Sequence, residues 1–88
     1  VKKSDSTNFT ARARRHARQG DDPELRALGE RVRATRVGAG LTQDQLALAS
    51  GVSRDTLIAV ENGRESVRLG SALRVLKALG LHVVVKER

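Results

Sequence analysis

Between residues 41 and 63 the polar side chains have the types and spacing of groups that bind, not of groups that catalyse. Gln43 falls in the first turn of a helix that Thr42 would open. Free backbone N–H groups and the positive end of the helix dipole suit an anion at that position, and a phosphate contact follows naturally. Nothing comparable supports an enzyme. His16 and His82 stand at opposite ends of the chain, there is no cysteine, and no serine, histidine and aspartate form a recognisable nucleophilic set. No metal site or cofactor is expected, and His82 reads as a structural or surface residue.

Two short helices must position these groups. Thr42 and Ser53 are placed to cap them, since each hydroxyl can accept from a backbone N–H of the turn that follows it. Gly51 supplies a turn residue free to take positive φ. Leu46, Val52, Leu57 and Val60 would hold the pair together, and Ala47 is small enough to let the helices approach closely. The pattern is a helix-turn-helix, and it points to double-stranded DNA.

The flanking elements follow from the same signals. Asp22, Pro23 and Glu24 open a helix with a cap, a proline at the first helical position and an acid in the first turn. Leu25, Leu28 and Val32 mark its buried face, and Gly38, Ala39 and Gly40 end it. Residues 62–66 read as a loop. Leu69, Ala72, Leu73, Leu76 and Leu79 then recur at helical period up to Gly80. The β-branched tail changes period, so Leu81, His82, Val83, Val84 and Val85 read as a strand. No second strand is visible to pair with it, and a twofold-related copy is the expected partner.

Three segments result: a basic, flexible arm over 1–22, a helical domain over 23–80 and a dimerisation strand over 81–88. Through residue 19 the arm carries six basic residues against Asp5, a net +5. Phe9, Ala13 and Ala17 form a thin stripe if residues 8–19 are helical, too thin by itself to dock on a core. The arm is either a solvated tail or a track for phosphates and the minor groove. With 88 residues the chain makes one domain that buries only about 60% of its unfolded surface, which favours partners. No apolar run could span a bilayer and no signal peptide is visible, so a cytoplasmic protein is expected. A single aromatic argues against base-stacking surfaces for single strands.

Leu41, Thr42 and Gln43, then Leu46 and Ala47, then Gly51, Val52 and Ser53, then Glu61, Asn62 and Gly63 fall in the order and spacing of one family. Residues 25–80 resemble the Cro/C1-type, or Xre-type, helix-turn-helix proteins of bacteria and phages. Ser50 is more polar than many members have there. The resemblance implies an all-α, lambda-repressor-like domain of four or five helices, here with the added C-terminal strand. It also implies that the helix from Arg54 lies in the major groove with Arg54, Asp55, Thr56 and Ala59 toward the bases. Arg54 could fork onto O6 and N7 of guanine or clamp a phosphate. Asp55 could accept from cytosine or merely favour the helix dipole. Gln43, Asn62 and Arg64 match phosphate-holding positions, and Arg36 and Glu61 match a structural salt bridge. Ile58 is either exposed for DNA or partly buried, and Arg68, Arg74 and Lys77 read as a solvated face. A homodimeric repressor on a near-palindromic operator is the first expectation. The tail also resembles that of HipB-like antitoxins, which implies a protein toxin as an alternative partner.

Overall fold

The computed structural model describes residues 18–88, in which four helices follow one another: α1 (Pro23–Gly38), α2 (Gln43–Ser50), α3 (Arg54–Glu61) and α4 (Leu69–Ala78). The expectations for the arm before residue 18, His16 among them, lie outside the described residues. Each of the first three helices starts on a side-chain cap. Asp22 accepts from the N–H groups of Glu24 and Leu25 at 2.8 and 3.2 Å. Thr42 and Gln45 cap each other reciprocally, the hydroxyl accepting from the Gln45 N–H at 3.0 Å and the amide oxygen from the Thr42 N–H at 2.8 Å. Ser53 Oγ accepts from the Thr56 N–H at 3.0 Å. The fourth helix starts at Arg68 with no side-chain cap.

Between α2 and α3 the chain reverses at Gly51, whose φ of +73° lies in the left-handed region. A residue with a Cβ suffers steric strain there, so glycine sets the turn. Val52 N–H then donates to the Ala47 carbonyl at 3.1 Å and leads straight into the Ser53 cap.

Val32, Leu46, Leu57 and Val75 are the largest fully buried apolar side chains among the described residues, one from each helix. Ala47, Val60 and Leu76 complete the centre, and Leu28, Leu41, Val52, Val67, Leu73, Leu79 and Leu81 pack around it. α2 and α3 pack on each other, α1 lies on α3, and α4 closes the far side of α2. At Gly29 an added Cβ would stand 2.5 Å from the Val60 carbonyl oxygen, so α1 and α3 meet backbone to backbone. Ser50 is buried but satisfied, its hydroxyl donating to the Leu46 carbonyl at 2.7 Å.

Two expectations are corrected. Leu69, placed on the core face of the last helix, is 74% exposed, and Val75 takes the central position instead. The buried stripe of α4 therefore centres on the adjacent pair Val75 and Leu76. The terminal strand is absent: residues 81–88 have no regular structure, and no strand exists among the described residues. A lone segment has no ladder to join, and the chain satisfies what it can locally. Leu81 N–H donates to the Leu76 carbonyl at 2.8 Å and its side chain packs on the core, while Val83, Val84 and Val85 stay exposed.

Candidate nucleic-acid interface

Glu61, the last residue of α3, is the centre on which the site is built. Its side chain has no exposed surface. Arg36 from α1 approaches it with Nε at 2.6 Å from Oε2 and Nη2 at 3.3 Å from Oε1. Gln43 Nε2 donates to Oε1 at 3.2 Å from the start of α2, and Arg33 Nε lies 3.5 Å from the same oxygen. Arg36 Nη1 also donates to the Leu41 carbonyl at 3.0 Å. One carboxylate thus joins α1, the following loop, α2 and α3. A buried ion pair is costly to desolvate and survives only where its remaining hydrogen-bonding capacity is used, as here.

This centre presents the start of α2 to solvent. Arg33, Arg36, Thr42, Gln43, Asp44 and Arg54 line an open recess of about 480 Å³ around the first turn of that helix. The first backbone N–H groups of α2 and three guanidinium groups converge on it, an arrangement suited to a phosphate. Gln43 is turned toward Glu61, so its side chain offers the recess only what that bond leaves over. Arg54 reaches in from the first turn of α3, with Nε 3.4 Å from Asp44 Oδ1. Both partners are largely exposed, and such pairs are weak enough to open for a ligand.

The other expected base-facing residues separate. Asp55 is exposed and Thr56 half-buried, the Thr56 hydroxyl accepting from Ser53 at 2.9 Å. Ala59, expected alongside them, is only 8% exposed. Its methyl forms part of a recess of about 250 Å³ between α3 and α4 that is also lined by Asp55, Thr56, Ser66 and Arg68, and it keeps little surface for a base. Ile58 is half-buried.

Of the expected phosphate holders after α3, Asn62 is also turned inward. It is 8% exposed and its Nδ2 donates to the Ile58 carbonyl at 3.0 Å, which caps the end of the helix. Arg64 is half-buried, and its N–H donates to the Ala59 carbonyl at 3.0 Å. The tail residue His82 is exposed beside Val83.

Sequence reasoning missed Arg33 and Arg68 as members of this surface. Arg33 precedes Arg36 by three positions, one helical turn, and that spacing is a signal that could have found it. Arg68 reads from sequence as part of the solvated face, yet it lines the recess with Asp55 and Thr56. No group of three or more histidine, cysteine, aspartate or glutamate residues suited to a metal occurs among the described residues. None of the helices is long and apolar enough to cross a membrane among those residues.

Comparison with known proteins agrees with this geometry. A family model described as a helix-turn-helix domain matches residues 27–88. An uncharacterized HTH-type transcriptional regulator of Methanothermobacter thermautotrophicus is 49% identical over 49 residues, which cover 56% of this chain and 71% of that protein. With the match extending from within α1 to the last residue, the chain belongs to the helix-turn-helix domain family.

Proposed function

We propose that this chain is a sequence-specific, double-stranded-DNA-binding transcriptional regulator of the Cro/C1 type, a homodimeric repressor acting on a near-palindromic operator. The observation that carries the reading is the polarity of α3 along its length. Leu57, Val60 and Glu61 are buried, whereas Arg54 and Asp55 in the first turn project into solvent. A reader helix needs that division, because its N-terminal residues meet base edges while its far end is held by the protein.

In this reading Arg54 contacts guanine after leaving Asp44, and Asp55 and Thr56 face neighbouring pairs. The start of α2, with Gln43 and Arg33, holds one phosphate, and Arg64 holds another. Asn62 acts by ending α3 in the right place. The relative named as a transcriptional regulator supports the regulatory part. The uncovered Val83, Val84 and Val85 support a second copy, since three adjacent valines gain by leaving water. A toxin as the cover of that tail is the alternative, and it predicts a mixed complex on purification instead of a homodimer.

The test begins by selecting bound duplexes from a random pool. Arg54→Ala should then lose about 1 to 3 kcal/mol of preference for the selected duplex over random DNA. An unchanged ratio would overturn Arg54 as the base reader. Failure of the wild-type chain to enrich any sequence would overturn the function.

A further inference from the structure

A hollow of about 160 Å³ opens where the first turns of α1, the end of α3, the loop after it and the start of α4 come together. Leu25, Leu28, Val60, Val67, Leu69 and Ala72 form its apolar walls, and the loop residues Arg64 and Glu65 complete the lining. Leu69, at the first position of α4, is 74% exposed on this wall. An apolar hollow with an uncovered leucine at its edge gains by being filled.

A second group of apolar side chains is uncovered at the other end of the same helix. Val83, Val84 and Val85 are 56%, 71% and 91% exposed, and none of residues 81–88 lines the hollow. Leu69 starts α4, whereas Leu81 is fixed just past its end by the bond to the Leu76 carbonyl and by its place against the core. The ten residues of α4 hold these ends about 15 Å apart. An extended chain carries Val83 only about 7 Å from Leu81, so it stops halfway back along its own helix. A second copy removes the mismatch. When two α4 helices run antiparallel about a twofold axis, the end of each lies beside the start of the other, and the tail leaving one helix arrives at the hollow of its mate.

We propose that two copies of the chain exchange their tails, Val83–Val85 of each lying in the hollow of the other. Alternate residues of an extended segment share a face, so Val83 and Val85 turn together onto the partner's Leu69 and Ala72. A cavity of roughly 150 Å³ takes a benzene ring, which is larger than a valine side chain. Lys86 and Glu87 follow the valines, and the loop at the hollow carries Glu65 and Arg64, so both surfaces present one charge of each sign. Such complementary charges fix register more than they add affinity. The twofold axis makes every one of these contacts twice. Since Val60 belongs to the wall, the partner's tail bears directly on the helix that carries Arg54. The placement rests on the homodimer proposed above, and it adds that the seat of each tail is the partner's hollow, not the partner's tail.

The test uses the full chain, which has no cysteine of its own. Leu69→Cys and Val85→Cys chains, each altered at an exposed position, are prepared separately, mixed, and treated with a short bis-maleimide. The mixture should yield a covalent dimer, and either variant alone should yield little. Leu69→Asp should sediment as a monomer where the wild type is a dimer, with its helical circular dichroism retained, because no core side chain is altered. A dimer that cross-links Val85→Cys chains to one another and survives Leu69→Asp would overturn the exchange while keeping the homodimer. A wild-type chain that sediments as a monomer at every concentration would overturn both.

Discussion

Two arginine–carboxylate pairs flank the start of α2, and they differ in almost everything but their chemistry. Arg36 and Glu61 meet at 2.6 Å with the carboxylate entirely buried and further partners in Gln43 and Arg33. Arg54 and Asp44 meet at 3.4 Å, the side chains 58% and 79% exposed. Burial leaves the first pair no alternative to each other, whereas water can replace either partner of the second. The first pair is thus part of the fold, and the second is an exposed pair that can open at little cost.

Removing one partner should separate them most sharply. Glu61→Ala leaves the Arg36 guanidinium without its counter-charge and should lower stability by about 3 to 5 kcal/mol, read from denaturant unfolding. In a domain this small that would leave little folded protein at ambient temperature. A loss below about 1 kcal/mol would mean that the buried pair does not organise the fold. Shortening the tail by deleting residues 83–88 touches neither pair. On the proposed reading it should convert a dimer to a monomer in sedimentation, with weakened operator binding, and a dimer that persists would break the assignment.

Arg54→Ala should leave the unfolding midpoint nearly where it was, since exposed pairs contribute about 0 to 1 kcal/mol, and its effect should fall on sequence discrimination instead. Asp44→Asn is the smallest expected change. It should alter stability by less than about 1 kcal/mol through the helix dipole. On the proposed reading it should also strengthen duplex binding slightly, by releasing Arg54 and removing a negative charge from the recess at the start of α2. Weaker binding would show that Asp44 orients Arg54 for its contact. Raising the salt should abolish the difference between wild type and Asp44→Asn, because exposed charges are screened over about 8 Å at physiological ionic strength.

The four helices were legible because their signals are local. Asp22, Thr42 and Ser53 cap helices through bonds spanning two or three residues, and Gly51 needs only its own φ. The site was less so. The Arg36–Glu61 pairing came from family resemblance, since nothing local to either residue selects the other. Asn62 and Ala59 are placed by their positions in the motif, and only their surroundings show that one points inward and the other is covered. The tail illustrates the reverse. Its β-branched composition describes what the residues prefer when they have a partner, and a single chain supplies none. Leu69 shares its period with Leu73, Leu76 and Leu79, which do pack on the core, but it is the first residue of α4 and stays exposed, a difference that periodicity does not carry.

The meeting of α1 and α3 at Gly29 has a consequence for change over time. What Gly29 faces on α3 is the main-chain carbonyls of Val60 and Glu61, groups that are the same whatever side chain stands there. The seat of the helix is therefore indifferent to the identities of the residues at 54 and 55. Those positions can be exchanged without retilting the helix, so a descendant or a designer can retarget the surface while inheriting its mounting unchanged.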